Sequence, residues 1–526
     1  MPRIVAVLIV GMWLGMIGWQ VRREYFAPEL TRLAEASLGL APGVSFYTLR
    51  MGERSVGQAT SRLDTVPKGF VLEDVMSLEL PALGQTGTAV VRTSVRLSPA
   101  LVMQSFSFSL DSDIGRLQAS GEVRADSTLV VTIDSGSGPE TSEYRFSTPP
   151  VFSSVLPIRV AMGGELVVGR TIRMPVFDPS TLGTRIVEMR VLEQDTLILP
   201  DSASLDPATG RWYAAHFDTI PTWKVAEIYG GVSVESWVDA DGRVLRASSP
   251  LGFSMEKTEY ELALQARDDE RAALAQGGVP RSALDDDIIL STAIRSNVDL
   301  GETTRYQEIH FRLSGVDLAG FALDGGRQTL RGDTLIVRRE DLNALDPGFE
   351  LPYKLMDLRQ ELEPEPLIQS ADPRIVRRAR EITAARTSWS QDPRRVAGQL
   401  TRGVFNMLEK RVTISVPSAV QVLESGFGDC NEHTVLFVAM ARSLGLPART
   451  AVGMVYLRGS FYYHAWPEVW LGQWVAMDPT FGDAPADAAH IRFVVGGLAQ
   501  QVDIVRLIGR LRIDVLEAIP AAAENP

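Results

Sequence analysis

The stretch "SGFGDCNEHTVLFVAMARSLG", residues 425–445, contains Cys430, the only cysteine in this chain of 526 residues. Gly426 and Gly428 predict a tight loop, and the apolar run after the cysteine predicts a buried helix that stops at Gly445. Cys430 would then begin this helix, where free N–H groups and the helix dipole favour a thiolate nucleophile. A small buried apolar residue is the alternative, because most free cysteines are of that kind.

A cysteine nucleophile needs an imidazole within hydrogen-bonding reach, and that imidazole needs an acceptor that orients it. Two histidines compete for the first role: His433 lies three residues after Cys430, and His464 lies farther along the chain. Asp478 is the candidate for the acceptor. The residue pattern leaves both histidines open.

The segment "FYYHAWPEVWLGQWVAMDPT", residues 461–480, predicts a hairpin of two strands. A two-residue loop would set Asp478 on the wrong face for His464. A three-residue loop would pair Trp470 with Trp474 and make Asp478 a same-face neighbour of His464. If the two side chains act together, the loop should therefore have three residues or the ladder should contain a bulge.

Two further residues are candidates for an oxyanion donor or a wall of the cleft. Ser418 and Gln421 fit a capping box at the start of a helix, and Gln421 is alternatively an oxyanion donor. Trp466 shares a predicted strand face with His464, where it would either line the cleft or pack in the core.

The N-terminus begins with an uncharged apolar run, "IVAVLIVGMWLGMIGW", from Ile4 to Trp19. With the next two residues it is just long enough to cross a bilayer, so residues 1–24 are predicted to be an uncleaved anchor in the cytoplasmic membrane. A cleaved signal peptide is the alternative. Basic residues flank the run on both sides, so charge gives no orientation.

Changes in residue periodicity divide the chain and predict an α+β fold with a large antiparallel β-rich N-terminal region. That region is expected to be a twisted sheet or open barrel, followed by a charged linker at 265–287. The predicted parts are the β-rich domain at 40–262, a small β-domain at 288–345, an α+β catalytic domain at 370–510 and a C-terminal tail at 511–526.

Charge and composition exclude several classes of protein. The net charge of −13 makes nucleic acid an unsuitable partner. One cysteine excludes an internal disulfide and a Cys-rich zinc site. His216, His310 and His490 are isolated in the sequence, and no cluster of metal ligands is recognised. We therefore predict neither a metal nor another cofactor.

Three blocks resemble the transglutaminase-like superfamily, whose papain-like core uses Cys, His and Asp in that order. They are "GFGDCNEHTVLFVAMARSLGLPARTAVG" (426–453), "YYHAWPEVWL" (462–471) and "WVAMDPT" (474–480). The resemblance implies Cys430 as nucleophile, His464 as base and Asp478 as its orienting group, and it gives His433 no role. The anchored β-rich region is similar to the accessory part of bacterial relatives that lie outside the cytoplasmic membrane, which implies a periplasmic location.

The function implied is thiol-dependent acyl transfer or hydrolysis at amide bonds of a protein or peptide. Water as the acceptor would make the protein a peptidase or amidase, and an amine would make it a transamidase. The alternative is an anchored binding or scaffolding protein that uses the β-rich region and no longer catalyses a reaction. A scaffold would tolerate the loss of the Cys430 thiol, whereas the enzyme would not.

Overall fold

We describe the fold from a computed structural model. The predicted anchor at 1–24 lies outside the residues that the structure describes, and within those residues no helix has the length and apolar character needed to span a membrane. The described residues are 29–82, 85–124, 128–146, 150–179, 181, 183–229, 232–250, 252–275, 292–383 and 391–521.

The period-two segments of the N-terminal region form one sheet of 15 strands, called here the N-terminal sheet. Its strand order is β8-β7-β6-β5-β4-β3-β2-β1-β15-β14-β13-β12-β11-β10-β9, and all neighbours are antiparallel except β9 and β10. The prediction of a β-rich region is confirmed. The strands are β1 (Gly43–Met51), β2 (Arg54–Val66), β3 (Gly69–Ala82), β4 (Gln85–Leu97), β5 (Met103–Ser112), β6 (Arg116–Val123), β7 (Thr128–Asp134), β8 (Pro139–Arg145), β9 (Val151–Phe152), β10 (Thr171–Asp178), β11 (Gly183–Asp206), β12 (Arg211–Tyr229), β13 (Val232–Val238), β14 (Val244–Ser248) and β15 (Phe253–Thr258).

The N-terminal sheet rolls around its own apolar core. Tyr144 on β8 and Phe177 on β10 lie near opposite ends of the strand order, yet their ring centroids are 5.9 Å apart. Phe106 also contacts Phe177, at 5.2 Å; both are buried in one cluster, and the partly buried Tyr144 packs against it. Helix α1 (Glu29–Ala36) precedes the sheet, and helix α2 (Leu156–Met162) contributes apolar side chains to its core.

The predicted linker at 265–287 is wrong in its first part, which belongs to helix α3 (Tyr260–Ala275). This helix packs on β1, β2 and β12. The Gln265 side chain accepts a hydrogen bond from the Trp212 amide at 2.7 Å and donates one to the Trp212 carbonyl at 2.9 Å. These contacts hold the helix against the sheet despite its charged sequence.

The remaining strands form two larger sheets and one short pair. The hairpin sheet has the order β16-β23-β22-β25 with β24 beside β23, and the small sheet has the order β18-β19-β17-β26. The strands are β16 (Ile294–Arg295), β17 (Tyr306–Ser314), β18 (Gln328–Arg331), β19 (Thr334–Arg338), β20 (Glu409–Lys410), β21 (Phe427–Gly428), β22 (Ala448–Leu457), β23 (Ser460–Trp470), β24 (Trp474–Ala476), β25 (His490–Val495) and β26 (Arg512–Pro520).

The small sheet depends on the hairpin sheet and on the end of the chain. Phe311 of β17 meets Phe461 of β23 at 5.8 Å, within one buried cluster that both sheets share. Strand β26 pairs with β17, so the prediction of a tail at 511–526 is wrong for Arg512–Pro520. A segment of about 50 residues buries little surface alone, which explains why it shares a core.

The helical part surrounds one long buried helix. Helix α7 begins at Cys430 and lies against β22 and β23, as the apolar run predicts. Gly445 follows it with a φ of 77°, which a residue with a side chain rarely adopts. The helices are α4 (Pro373–Thr383), α5 (Pro393–Met407), α6 (Ala419–Ser425), α7 (Cys430–Ser443) and α8 (Leu498–Gln501).

The start of α6 binds the N-terminal sheet rather than capping itself. The Ser418 hydroxyl donates to the Ser135 carbonyl at 2.6 Å, and the Gln421 amide donates to the Arg116 carbonyl at 2.6 Å. No side-chain hydrogen bond caps α6, so the predicted capping box is wrong. The polar residues are used instead to join the N-terminal sheet to the helical part.

Candidate active site

The first turn of α7 is fixed by its own acidic residues. Asp429 accepts a hydrogen bond from the Asn431 amide, and Glu432 accepts one from the Asp429 amide, both at 2.9 Å, so the two form a capping box. A Cβ on Gly428 would lie 2.3 Å from the Glu432 Cβ, so only glycine fits beside it. Cys430 is thereby held as the first residue of the helix.

The hairpin has the register that the candidate residues require. Trp470 pairs with Trp474 and Val469 with Val475, so the loop has three residues, and this prediction is confirmed. The second strand ends at Ala476, and the chain then brings Asp478 to His464. Nε2 of His464 and Oδ2 of Asp478 are 2.8 Å apart, a direct hydrogen bond.

This hydrogen bond decides the tautomer of His464. The carboxylate of Asp478 accepts, so Nε2 of His464 donates and Nδ1 of the neutral ring carries a lone pair. Within the part of the chain that the structure describes, Nδ1 has no hydrogen-bond partner. The backbone N–H of Ala465, the next residue, lowers the pKa of the Cys430 thiol. The thiol is thus near the residue that follows His464 on β23.

Asp478 is completely buried, and its carboxylate accepts four hydrogen bonds. Oδ1 accepts from the amides of Thr480 and Phe481 at 2.7 and 3.1 Å, and Oδ2 accepts from His464 and from His490. Burial opposes ionisation, but interactions with His464 and His490, including their hydrogen bonds, hold the pKa of Asp478 well below its usual range. Asp478 is therefore an anion throughout the physiological pH range.

His490 is a member of this site that the sequence analysis missed. Its Nε2 lies 2.9 Å from Oδ2 of Asp478, and its Nδ1 lies 2.8 Å from Oδ1 of Asp487. Both acceptors are carboxylates, so both ring nitrogens donate and the ring is an imidazolium. The interpretation of His490 as isolated is wrong, because β25 pairs with β22 and brings it to the hairpin. The only local indication in the sequence was Asp487, three residues before His490, which is close enough in the chain to bond to its ring.

The charge on His490 should be visible in the pH dependence of stability. Burial alone would lower the pKa of His490, but the charge of Asp487 and the bonds to both carboxylates raise it to about 9. A raised value means that the folded state binds the proton more tightly. The stabilisation is complete below the ordinary pKa of about 6.5 and is lost as the pH rises through about 9.

We expect the free energy of unfolding to fall by about 3 kcal/mol from this group between pH 6.5 and pH 9. Urea denaturation at three pH values measures it. The matched variant His490→Gln should lack this part of the decline, while other titrating groups act equally in both proteins. An equal decline in the two proteins would contradict the assignment of charge to His490.

The thiol of Cys430 is less acidic than its place at a helix N-terminus suggests. Burial and the negative charge of Asp429 raise the pKa of Cys430 well above its ordinary value, although the Ala465 N–H lowers it. The expectation of a thiolate favoured by the helix dipole is therefore wrong in direction. Burial and neighbouring carboxylates outweigh the dipole here, and the resting sulfur is a neutral thiol.

His433 does not compete for the role of base. Its Nδ1 donates to the Asp429 carbonyl at 2.7 Å, and the ring is completely buried in the first turns of α7. Burial lowers the pKa of His433, so the ring is neutral. It serves the start of the helix, in agreement with the resemblance, which gave it no role.

The two candidates for an oxyanion donor or cleft wall make other contacts. Gln421 uses its amide on Arg116 of the N-terminal sheet, so it is engaged at that interface. Trp466 is completely buried between small alanines, with its ring 6.0 Å from that of His464. It is a core residue that supports the imidazole. Its indole N–H has no hydrogen-bond partner within the described residues.

His464, Asp478 and His490 also offer ligand atoms within 4.8 Å of one another. Two imidazoles and a carboxylate are ligand types that Zn²⁺ accepts. The residue order does not reveal this cluster, because His490 lies apart from any recognised motif in the chain. Both Nε2 atoms donate to one oxygen of Asp478, so a metal would have to replace both hydrogen bonds. The arrangement fits an acid–base site more directly than a metal site.

A helix that starts with a cysteine packs here on the strand that carries the histidine, and the aspartate follows the next strand; this arrangement is similar to a papain-like core. Comparison with protein families agrees: residues 377–479 match the family model of the transglutaminase-like superfamily. The match includes Cys430, His464 and Asp478. The resemblance seen in the sequence is confirmed. No curated protein matches the chain.

Solved structures with similarity to the chain are distant. A candidate cysteine protease from Cytophaga hutchinsonii is 14% identical, covers 42% of this chain and 89% of its own, and has a TM-score of 0.26. A β-barrel-like protein of the DUF1849 domain from Brucella abortus is 14% identical, covers 42% of this chain and 95% of its own, and has a TM-score of 0.28. The periplasmic domain of TgpA from Pseudomonas aeruginosa, bound to ethylmercury, is 14% identical, covers 36% of this chain and 90% of its own, and has a TM-score of 0.23. At these TM-scores the similarities carry no argument about function.

Proposed function

We propose that the protein is a thiol-dependent acyltransferase or hydrolase that acts on amide bonds of proteins or peptides. The observation that carries this proposal is the 2.8 Å hydrogen bond from Nε2 of His464 to Asp478, made by the residue next to Ala465, whose backbone N–H lowers the pKa of Cys430. The match of residues 377–479 to the transglutaminase-like superfamily supports it. In this proposal Cys430 is the nucleophile, His464 the base and Asp478 the group that orients it.

The first half of the reaction forms a thioester. Because the resting thiol is neutral, Nδ1 of His464 takes its proton while the sulfur attacks the carbonyl carbon of the amide. The backbone N–H of Cys430 at the start of α7 is a donor for the oxyanion that develops. The C–N bond then breaks, and His464 returns the proton to the leaving amine.

The second half transfers the acyl group. Water or a second amine loses a proton to His464 and attacks the thioester, and the thiol of Cys430 leaves with that proton. Asp478 and the imidazolium of His490 keep the His464 ring in one orientation throughout both halves. The residues used for these steps are the same for hydrolysis and for transamidation.

The test is the capture of the thioester. The full chain is incubated with a short peptide p-nitrophenyl ester, quenched in acid and digested, and the mass of the peptide that contains Cys430 is measured. We expect an added acyl group that hydroxylamine removes, since thioesters react with it. Adding an alkylamine should give the peptide amide in place of the free acid if the protein is a transamidase. No adduct at Cys430 during turnover would overturn the proposal.

We also propose that residues 1–24 anchor the chain in the cytoplasmic membrane and that the remainder lies in the periplasm. The support is the uncharged run from Ile4 to Trp19 and its length. Fusion of alkaline phosphatase after residue 526 tests the orientation, because this reporter folds only outside the cytoplasm. Reporter activity agrees with the proposal, and an inactive but fully produced fusion contradicts it.

A further inference from the structure

The N-terminal sheet encloses a cavity that the proposed chemistry does not use. Its volume is about 400 Å³, within the range of small-molecule sites. Most of its surface is apolar, and the helix α2 forms one wall through Ile158. Apolar side chains that line it include Leu63, Leu72, Val91, Phe152, Val244 and Met255.

The carboxyl group of Asp74 faces this interior. Ser61, Asp74, Thr93 and Phe108 are directly opposite one another on successive strands, so they share a face of the sheet. Phe108 is buried in the core of the sheet, so this face is the inner one. Asp74 therefore directs its carboxyl group inward, and it lines the cavity.

Asp74 lacks a cationic partner among the described residues. Its carboxylate accepts a hydrogen bond from the Ser61 hydroxyl at 2.6 Å, and no ion pair joins it. Burial raises the pKa of Asp74, although the hydroxyls of Ser61 and Ser154 oppose this shift. A buried carboxylate without a counter-charge is costly, so a cation placed beside it would be stabilised.

The other charged groups at the cavity define what it accepts. Glu227, on the opposite part of the rolled sheet, is a second lining carboxyl group and is only 9% exposed. Arg243 is the one lining residue with a basic side chain among those that the structure describes, and its guanidinium donates to the Ala41 carbonyl. The interior thus offers apolar surface and acidic groups, which disfavours fatty acids and other anionic amphiphiles.

We propose that the cavity binds an amphiphile with one alkyl chain and a protonated amine, with the chain among the apolar side chains and the ammonium group on Asp74. The ammonium group would donate to the carboxylate and give Asp74 the counter-charge that it lacks. No covalent step is involved. The inference is independent of the thiol chemistry at Cys430, and either one stands if the other fails.

The test uses photocrosslinking, which tolerates a membrane environment. The full chain is reconstituted in lipid nanodiscs and exposed to dodecylamine that carries a diazirine near the end of its chain. After irradiation, crosslinked peptides are identified by mass spectrometry. We expect crosslinks in the strands that line the cavity, and competition by plain dodecylamine about 10-fold or more stronger than by dodecanol, because a charge-assisted hydrogen bond is lost in the alcohol.

Two variants locate the amine. Asp74→Asn should lower cavity crosslinking about 10-fold or more, because the amide cannot balance the charge. Glu73→Gln is the matched control: it removes a carboxyl group from the preceding residue, which is exposed on the outer face, and should change nothing. Equal competition by dodecanol and dodecylamine in the unaltered protein would overturn the proposal without any variant. Crosslinks confined to other surfaces would also overturn it.

Discussion

Replacing Cys430 with alanine is expected to lower the release of p-nitrophenolate from an activated peptide ester by about 10³-fold or more. The chain has no second cysteine that could substitute for it. His464 and Asp478 would retain their hydrogen bond, but water would have to attack without a covalent intermediate. The rate is measured spectrophotometrically with purified full chain, and the acyl adduct is sought in the same samples.

The control for this variant lies at the other end of the same helix. Ser443→Ala removes a hydroxyl that donates to the Met440 carbonyl, far from the first turn of α7, and the rate should stay near that of the unaltered protein. Thermal unfolding of both variants verifies that the fold is retained. If Cys430→Ala released nitrophenolate as fast as the control, the binding or scaffolding protein would become the better interpretation.

Replacing Asp478 with asparagine should lower the same rate by about 10³-fold or more and also destabilise the fold. The asparagine side chain has one oxygen that can accept hydrogen bonds, so it can replace only one of the two carboxylate oxygens. If that oxygen keeps the amides of Thr480 and Phe481, the new NH₂ group faces both histidines, which are donors. His464 would then have to protonate Nδ1, and this tautomer cannot accept the thiol proton.

The opposite orientation of the asparagine is also unfavourable, because its NH₂ group would face two backbone N–H groups. Removing one charge from a buried ion pair costs about 3–5 kcal/mol, so urea denaturation should show a loss of that size. Asp483→Asn is the matched control, since its backbone bonds to Asp478 but its side chain bonds to neither histidine. An Asp478→Asn protein with the activity of this control would disprove the role of Asp478.

The local features of the site followed from the sequence. The start of α7 at Cys430 depends on two neighbouring glycines and an apolar run, both of which act within a few residues. The hairpin register depends on period-two alternation and on loop length, so Trp470 opposite Trp474 could be deduced from the need to bring Asp478 to His464. Such short-range constraints can be predicted from the local sequence.

Other features appeared only in the folded chain. His490 joins Asp478 because β25 pairs with β22, and β26 completes the small sheet from the far end of the chain. Gln421 was available for a cap or an oxyanion, but the N-terminal sheet supplies the Arg116 carbonyl that takes its amide. These contacts join segments that are distant in sequence, and no local pattern records them.

The sequence by itself determined which residues are the candidates for the chemistry and in what order they occur, and it determined the β-rich and helical parts. The tertiary structure alone decided the protonation states. Cys430 was expected to be acidic at a helix N-terminus, yet burial and Asp429 make it a neutral thiol. His490 is charged because two buried carboxylates enclose it. Proton affinities depend on burial and on charges from every neighbouring segment, so they arise only when the chain has folded.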